Sequence, residues 1–129
     1  MQKKLYWLLV IISVATLISG IVQLLAPQFI LRLISAEVTG TTEQCFGIVG
    51  MFMALFGGML LEVLISKQPV KPVYLWAGLQ KIGASAAVSI GVLRHLFSPL
   101  ALGIASFDLL SGILIFVYLT MIAREESLE

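Results

Sequence analysis

The chain has 129 residues, of which 60% are hydrophobic and 12% charged, with a formal net charge of +1 at pH 7 and a mean hydropathy of +1.07. A soluble domain carries about 25% charged residues, so a chain this apolar would not cover its own surface in water, and its near-neutral charge sets up no field to gather nucleic acid. A single cysteine, Cys45, and a single histidine, His95, exclude an internal disulfide, a thiol–disulfide relay and a zinc cluster built on those ligands.

Four stretches are long enough to cross a bilayer, which takes roughly 20 apolar residues for a ~30 Å core. The first runs from Leu5 to Leu25 behind Lys3 and Lys4. Its apolar run is longer than the usual core of a cleaved signal, so it reads as a span that also directs insertion. Pro27 stops it, because proline lacks the amide hydrogen and clashes with the turn before it. From Pro27 to Ile34, apolar Phe29, Ile30, Leu33 and Ile34 alternate at helical spacing with Gln28 and Arg32. The pattern predicts a helix too short to cross, lying in the interface.

"VTGTT" then reads as a loop, with Thr41 or Thr42 as the N-cap of the next helix. The second span runs from Gln44 to Ile65, and "SKQPVKP" makes a tight polar turn. The third runs from Val73 to Leu93, followed by the short connection "RHLFSP". The fourth runs from Pro99, suited to a first helical turn, to Ile122, and "AREESLE" is a charged tail. Residues 1–129 thus form a single integral membrane domain, an all-α, up-down bundle of four transmembrane helices with a short interfacial helix between the first two spans.

Lys3, Lys4, Lys67, Lys71 and Arg124 fall on one side of this arrangement, and only Arg32 and Arg94 on the other. The excess of basic residues marks the cytoplasmic side, so both termini are expected there. Tyr6, Trp7, Tyr74, Trp76 and Tyr118 lie near the same boundary, where amphipathic rings favour the headgroup layer.

Lipid gives helices no hydrophobic reason to associate, so small residues that let backbones approach carry the packing. The second span offers Gly47, Gly50, Ala54, Gly57 and Gly58, the third Gly83, Ala87 and Gly91, and the fourth Ala101, Ala105 and Gly112. These faces are expected to hold the monomer together; the alternative is that one of them makes a homodimer.

Two charges lie deep inside the apolar spans, while Glu62, near the inner end of the second, is expected to snorkel toward Lys67 or Lys71. Lys81 lies ~12 Å in from the cytoplasmic edge and Asp108 ~14 Å in from the opposite edge, at about 1.5 Å per residue. Across a ~30 Å core these depths nearly match, and an unpaired charge there costs about 2.5–3.5 kcal/mol. The two are therefore expected to pair, with Gln80 beside Lys81. The pair is either a structural clamp between the third and fourth spans, or a proton or ion relay or a polar anchor for a ligand in the bundle.

Gln23, Glu43, Gln44, Arg94 and His95 gather near the outer edge. They form either a solvated rim, with Glu43 paired to Arg94 or Arg32, or the mouth of a ligand-binding cavity. Ser13, Thr16, Ser85, Ser89 and Ser111 can bond their own helix backbone, and none has a base beside it. No catalytic residue, phosphate loop or metal-ligand spacing is found.

The stretch "GIVQLLAPQFILRLI", the glycine-rich opening "EQCFGIVGMFMALFGG" and a polar residue inside each of the last two spans resemble the small four-helix bacterial membrane proteins of the DoxX-like group. Members usually show a basic residue near the start of the second span, where this chain has Glu43 and Gln44. The resemblance implies a bacterial cytoplasmic (inner) membrane protein, in some members a membrane subunit linked to quinone-dependent oxidoreductases. Small multidrug transporters share the size but rely on a glutamate in the first span, which is absent here.

The leading expectation is an accessory subunit, or a binder of an apolar or amphipathic ligand within the bundle. A lipid or a quinone would suit it, and its partners would be the bilayer and another membrane protein or a second copy. The alternatives are a small proton- or ion-coupled transporter using Lys81 and Asp108, and a quinone-linked or lipid-modifying enzyme.

Overall fold

The computed structural model describes residues 2–128. The described residues form five helices: α1 (Gln2–Leu25), α2 (Pro27–Leu33), α3 (Gly40–Ile65), α4 (Lys71–Leu93) and α5 (Ala101–Leu128). Three of them, α1, α3 and α5, are long and apolar enough to cross a membrane. Helix α4 matches them in length, at 23 residues. Gln80, Lys81, Ser85 and Ser89 lower its hydropathy, so it does not join that group.

Local chemistry explains the boundaries. Pro27 sits at the first turn of α2, where a missing amide costs nothing. Helix α3 starts earlier than its apolar run suggests, and its N-cap is Thr39 in place of Thr41 or Thr42. The Thr39 hydroxyl accepts from the Thr42 amide at 3.1 Å, and the Thr42 hydroxyl accepts from the Thr39 amide at 2.8 Å. This reciprocal capping box uses threonine where glutamate or glutamine is usual. Pro99 lies just ahead of α5, its carbonyl accepting from Leu102 at 2.9 Å. The stretch read as a charged tail is helical to Leu128, and Lys71 of α4 forms an ion pair with Glu126 there.

Three helices end the same way. Ser35, Lys67 and His95 follow α2, α3 and α4 with φ of 57°, 55° and 59°. In each case the next two amides fold back onto the last turn, as in His95 N to Val92 O at 3.0 Å and Leu96 N to Gly91 O at 2.9 Å. This is the Schellman closure, which ordinarily recruits glycine at the left-handed position.

The long helices stand in a square, in the order α1, α3, α4, α5, with α1 diagonal to α4 and α3 diagonal to α5. Helices α1 and α3 pack most closely, as an antiparallel pair. A Cβ added to Gly20 would lie 2.5 Å from the Ala54 amide, and one on Gly50 would lie 2.7 Å from the Leu24 amide. Gly57 faces Leu17 and Ser13 in the same way, so the seam is backbone against backbone. Helices α4 and α5 form the second pair, where a Cβ on Gly112 would stand 2.8 Å from Ile82 and 3.2 Å from the Gly78 carbonyl.

The expected stripe Gly83, Ala87, Gly91 does not make that seam. Gly83 and Ala87 face outward, with nothing near a Cβ on Gly83, and Gly91 packs on Phe97 of the connection that follows α4. The inward face of α4 is instead Tyr74, Ala77, Gly78, Lys81 and Ser85, one turn apart along the helix. All four long helices share one core, with Leu9, Ile12, Leu60, Leu64, Tyr74, Ala77, Ile115 and Ile122 buried together toward the end that holds the termini. At the other end Leu31 and Ile34 are buried, and the Ser98 amide donates to the Ile34 carbonyl at 2.7 Å, tying the α2 turn to the α4–α5 connection.

Candidate functional site

Lys81 is presented inward by the helical repeat of α4, and Asp108 shares a face of α5 with buried Ala101, Ala105 and Gly112. Because Gly112 has no side chain, α5 comes close enough for a Cβ there to lie 3.3 Å from the Lys81 Cβ. Asp108, one turn earlier, then meets the ammonium: Nζ is 3.2 Å from Oδ1. The two side chains are 5% and 10% exposed. Nζ also donates to Thr16 Oγ1 at 2.6 Å and stands 5.2 Å from the centre of the Phe107 ring. An ammonium has three hydrogens to place, and two hydroxyl or carboxylate acceptors plus a ring face satisfy most of that demand. No fully buried side-chain polar atom among the described residues is left unpaired.

The space beside this cluster is small. Ser13, Thr16, Gln80 and Lys81 border a cleft of about 10 Å³, which is room for about one water. A ligand does not fit there. Gln80 is thus brought to the Lys81 cluster, half-buried at the edge of that cleft.

The outer polar residues are not gathered into a site. Gln23 is buried and donates to the Phe46 carbonyl at 3.0 Å, closing the α1–α3 seam. Glu43 is half-buried at the start of α3, while Gln44, Arg94 and His95 are exposed. Among the described residues the ion pairs are Lys81–Asp108 and Lys71–Glu126, so Glu43 is paired with neither Arg94 nor Arg32. His95 serves the chain through its backbone, as the left-handed closure of α4.

A larger space lies at the opposite end, where α1 begins, α3 turns into α4, and α5 finishes. It is an open groove of about 850 Å³ walled by Tyr6, Trp7, Tyr74 and Tyr118. Tyr6 meets Trp7 edge-on at 5.4 Å between centroids and donates its hydroxyl to the Leu64 carbonyl at 2.8 Å. Tyr74 and Tyr118 lie 5.3 Å apart. Lys3, Lys67, Glu125 and Glu126 border the same groove.

Three of these features escape a reading of the sequence. Thr16 looks like any helix hydroxyl that bonds its own backbone, as Ser13 does to Leu9 and Ser111 to Phe107. Gly20 stands alone in α1, so no stripe announces it as the partner of Gly50 and Ala54. The aromatic residues read as a boundary belt, and spacing does not show that three tyrosines from three helices converge. The clue available was that Tyr6, Tyr74 and Tyr118 share one end of their helices.

Comparison with protein-family models, curated proteins and solved structures finds no match.

Proposed function

We propose that this chain is a four-span integral membrane protein that binds an amphipathic ligand, with the binding site in the aromatic groove at the end of the bundle that holds both termini. The observation that carries the reading is the contrast in available space. The interior beside Lys81 admits about one water, whereas the groove has about 850 Å³, within the range of small-molecule sites. Aromatic walls beside charged rim residues suit a molecule with one apolar and one polar end.

Crossing by α4 is supported by its antiparallel run beside α5, from Tyr74–Tyr118 at one end, past Gly78–Phe116, to Lys81–Asp108. The basic residues then put both termini in the cytoplasm and the groove at the cytoplasmic headgroup level. Helix α2, with Phe29 and Leu33 exposed beside buried Leu31, suits an interfacial position. The resemblance to the DoxX-like group supports a bacterial inner membrane and an accessory role beside another membrane protein.

The groove can be tested with its own reporter. The chain has two tryptophans, and Trp7 borders the groove while Trp76 does not. In mixed micelles, a brominated phosphatidylcholine is expected to quench Trp7 saturably in a Trp76→Phe variant. Trp76 in a Trp7→Phe variant should show only weak, linear quenching. Equal linear quenching of both would refute the reading.

A second reading, a proton-coupled carrier, is favoured by one observation: the Lys81–Asp108 pair lies where the α1–α3 and α4–α5 pairs meet. A carrier would lose proton flux in proteoliposomes on Asp108→Asn with its fold intact. Loss of stability without a change in flux per folded molecule would exclude it.

A further inference from the structure

The groove carries more chemical information than its size. Tyr74 is 1% exposed. None of the side-chain hydrogen bonds among the described residues uses its hydroxyl, yet no fully buried side-chain polar atom there is unpaired. What little exposure Tyr74 retains therefore includes its hydroxyl, and Tyr74 lines the groove. A phenol packed on its ring, with no partner for its hydroxyl among the described side chains, keeps a donor free for a bound molecule.

The rim is charged on both sides. Lys3 and Lys67 border it without an ion pair among the described residues. Lys67 also stands at the left-handed turn that closes α3, so its backbone position is fixed by two turn hydrogen bonds. On α5, Glu126 is engaged by Lys71, which leaves Glu125 as the unpaired carboxylate beside the groove. A purely anionic headgroup would meet Lys3 and Lys67 favourably but Glu125 unfavourably. A headgroup with both a phosphate and an ammonium satisfies all three.

We propose that the groove formed by Tyr74, Lys3, Lys67 and Glu125 recognises a phospholipid bearing a phosphoethanolamine headgroup. This rests on the amphiphile-binding reading above and names its ligand class. Tyr74 and the lysines hold the phosphate oxygens, through a neutral donor and two charge-assisted ones. Glu125 accepts from the primary ammonium, which offers hydrogens that a quaternary choline lacks. Trp7, 56% exposed, and Ile122 provide the apolar wall for the glycerol and upper acyl carbons.

The test uses the full chain with Trp76→Phe in mixed micelles, reading displacement of brominated phosphatidylcholine from Trp7. Phosphatidylethanolamine is expected to displace the probe at about tenfold lower concentration than phosphatidylglycerol or phosphatidylcholine, a difference of about 1.4 kcal/mol. Glu125→Gln, at an exposed site, should bring phosphatidylethanolamine and phosphatidylglycerol within about twofold of each other. Tyr74→Phe, which keeps the ring, should weaken every phospholipid together. Free O-phosphoethanolamine at equal concentration should not displace the probe; if it does so as well as the lipid, the lipid assignment is wrong. Saturable binding with no headgroup preference overturns this proposal and leaves the amphiphile reading intact. Absence of saturable binding overturns both.

Discussion

Lys81 and Thr16 sit on diagonally opposite helices of the bundle, and the lysine stem spans the diagonal to place Nζ 2.6 Å from Oγ1. With Asp108 on the adjacent helix at 3.2 Å, one ammonium joins three helices and bridges the two helix pairs. The glycine seams hold each pair together, and this contact adds a polar tie between the pairs beside the apolar core they share.

Thr16→Val keeps the shape of the side chain and removes the acceptor. Hydrogen bonds between membrane helices average about 0.6 kcal/mol, reaching ~1.7, and this one is charge-assisted. The variant should lose about 1–2 kcal/mol in reversible unfolding in micelles. A double-mutant cycle with Lys81→Met should assign most of that loss to the Thr16–Lys81 pair.

Asp108→Asn should cost more, about 3 kcal/mol, because it leaves a buried ammonium without its counter-charge. Replacing both, as Lys81→Met with Asp108→Leu, should recover most of the loss, since an apolar pair of similar volume needs no desolvation. Thermal unfolding of the single and double variants checks this. A double variant no more stable than Asp108→Asn would mean that the ions do more than clamp.

The close and open glycines separate packing from propensity. Gly20→Ala drives a methyl into the α3 backbone, which cannot swing aside, and should cost about 1–3 kcal/mol. Gly83→Ala meets nothing within 4 Å and should stabilise by up to about 1 kcal/mol, the helix-propensity gain. Melting temperatures in one detergent would show opposite signs.

His95 holds a left-handed backbone at φ 59° without being glycine. His95→Gly should relieve about 1 kcal/mol of that strain and raise the melting temperature. Loss of stability would indicate that the imidazole makes a contact of its own.

The proposed topology makes a parity prediction. In a Cys45→Ser background, single cysteines at Ser66 and Ser127 should resist a membrane-impermeant maleimide applied from outside, while one at Ala36 should react. If α4 does not cross, α5 runs the other way and Ser127→Cys becomes reactive with Ala36→Cys.

How much of this was legible beforehand depended on whether a residue's partner was local. Helices announced themselves through apolar length and proline punctuation. Lys81 and Asp108 could be matched because depth along a helix is a one-dimensional quantity that sequence carries. Rotation about the helix axis is set by packing, and there the reading failed for Gly83 and Ala87, which have the right spacing on the wrong face. Thr16 and Gly20 were invisible for a related reason, since each is ordinary until its partner on another helix is known. The tyrosine groove likewise exists only once three helix ends are assembled.

The square order of the helices also sets a schedule for biogenesis. Helices α1 and α3 can zip together through Gly20, Gly50 and Gly57 as soon as both have emerged, with no contribution from the rest of the chain. Helix α4 is different: with α4 crossing as proposed, it enters the bilayer carrying Lys81 while Asp108, 27 residues further along, has yet to reach the membrane. During that interval Thr16 is the acceptor already in place. The early hairpin would thus act as a receiving dock for the least hydrophobic helix, and a nascent chain cut short before α5 should let α4 slip back out of the membrane.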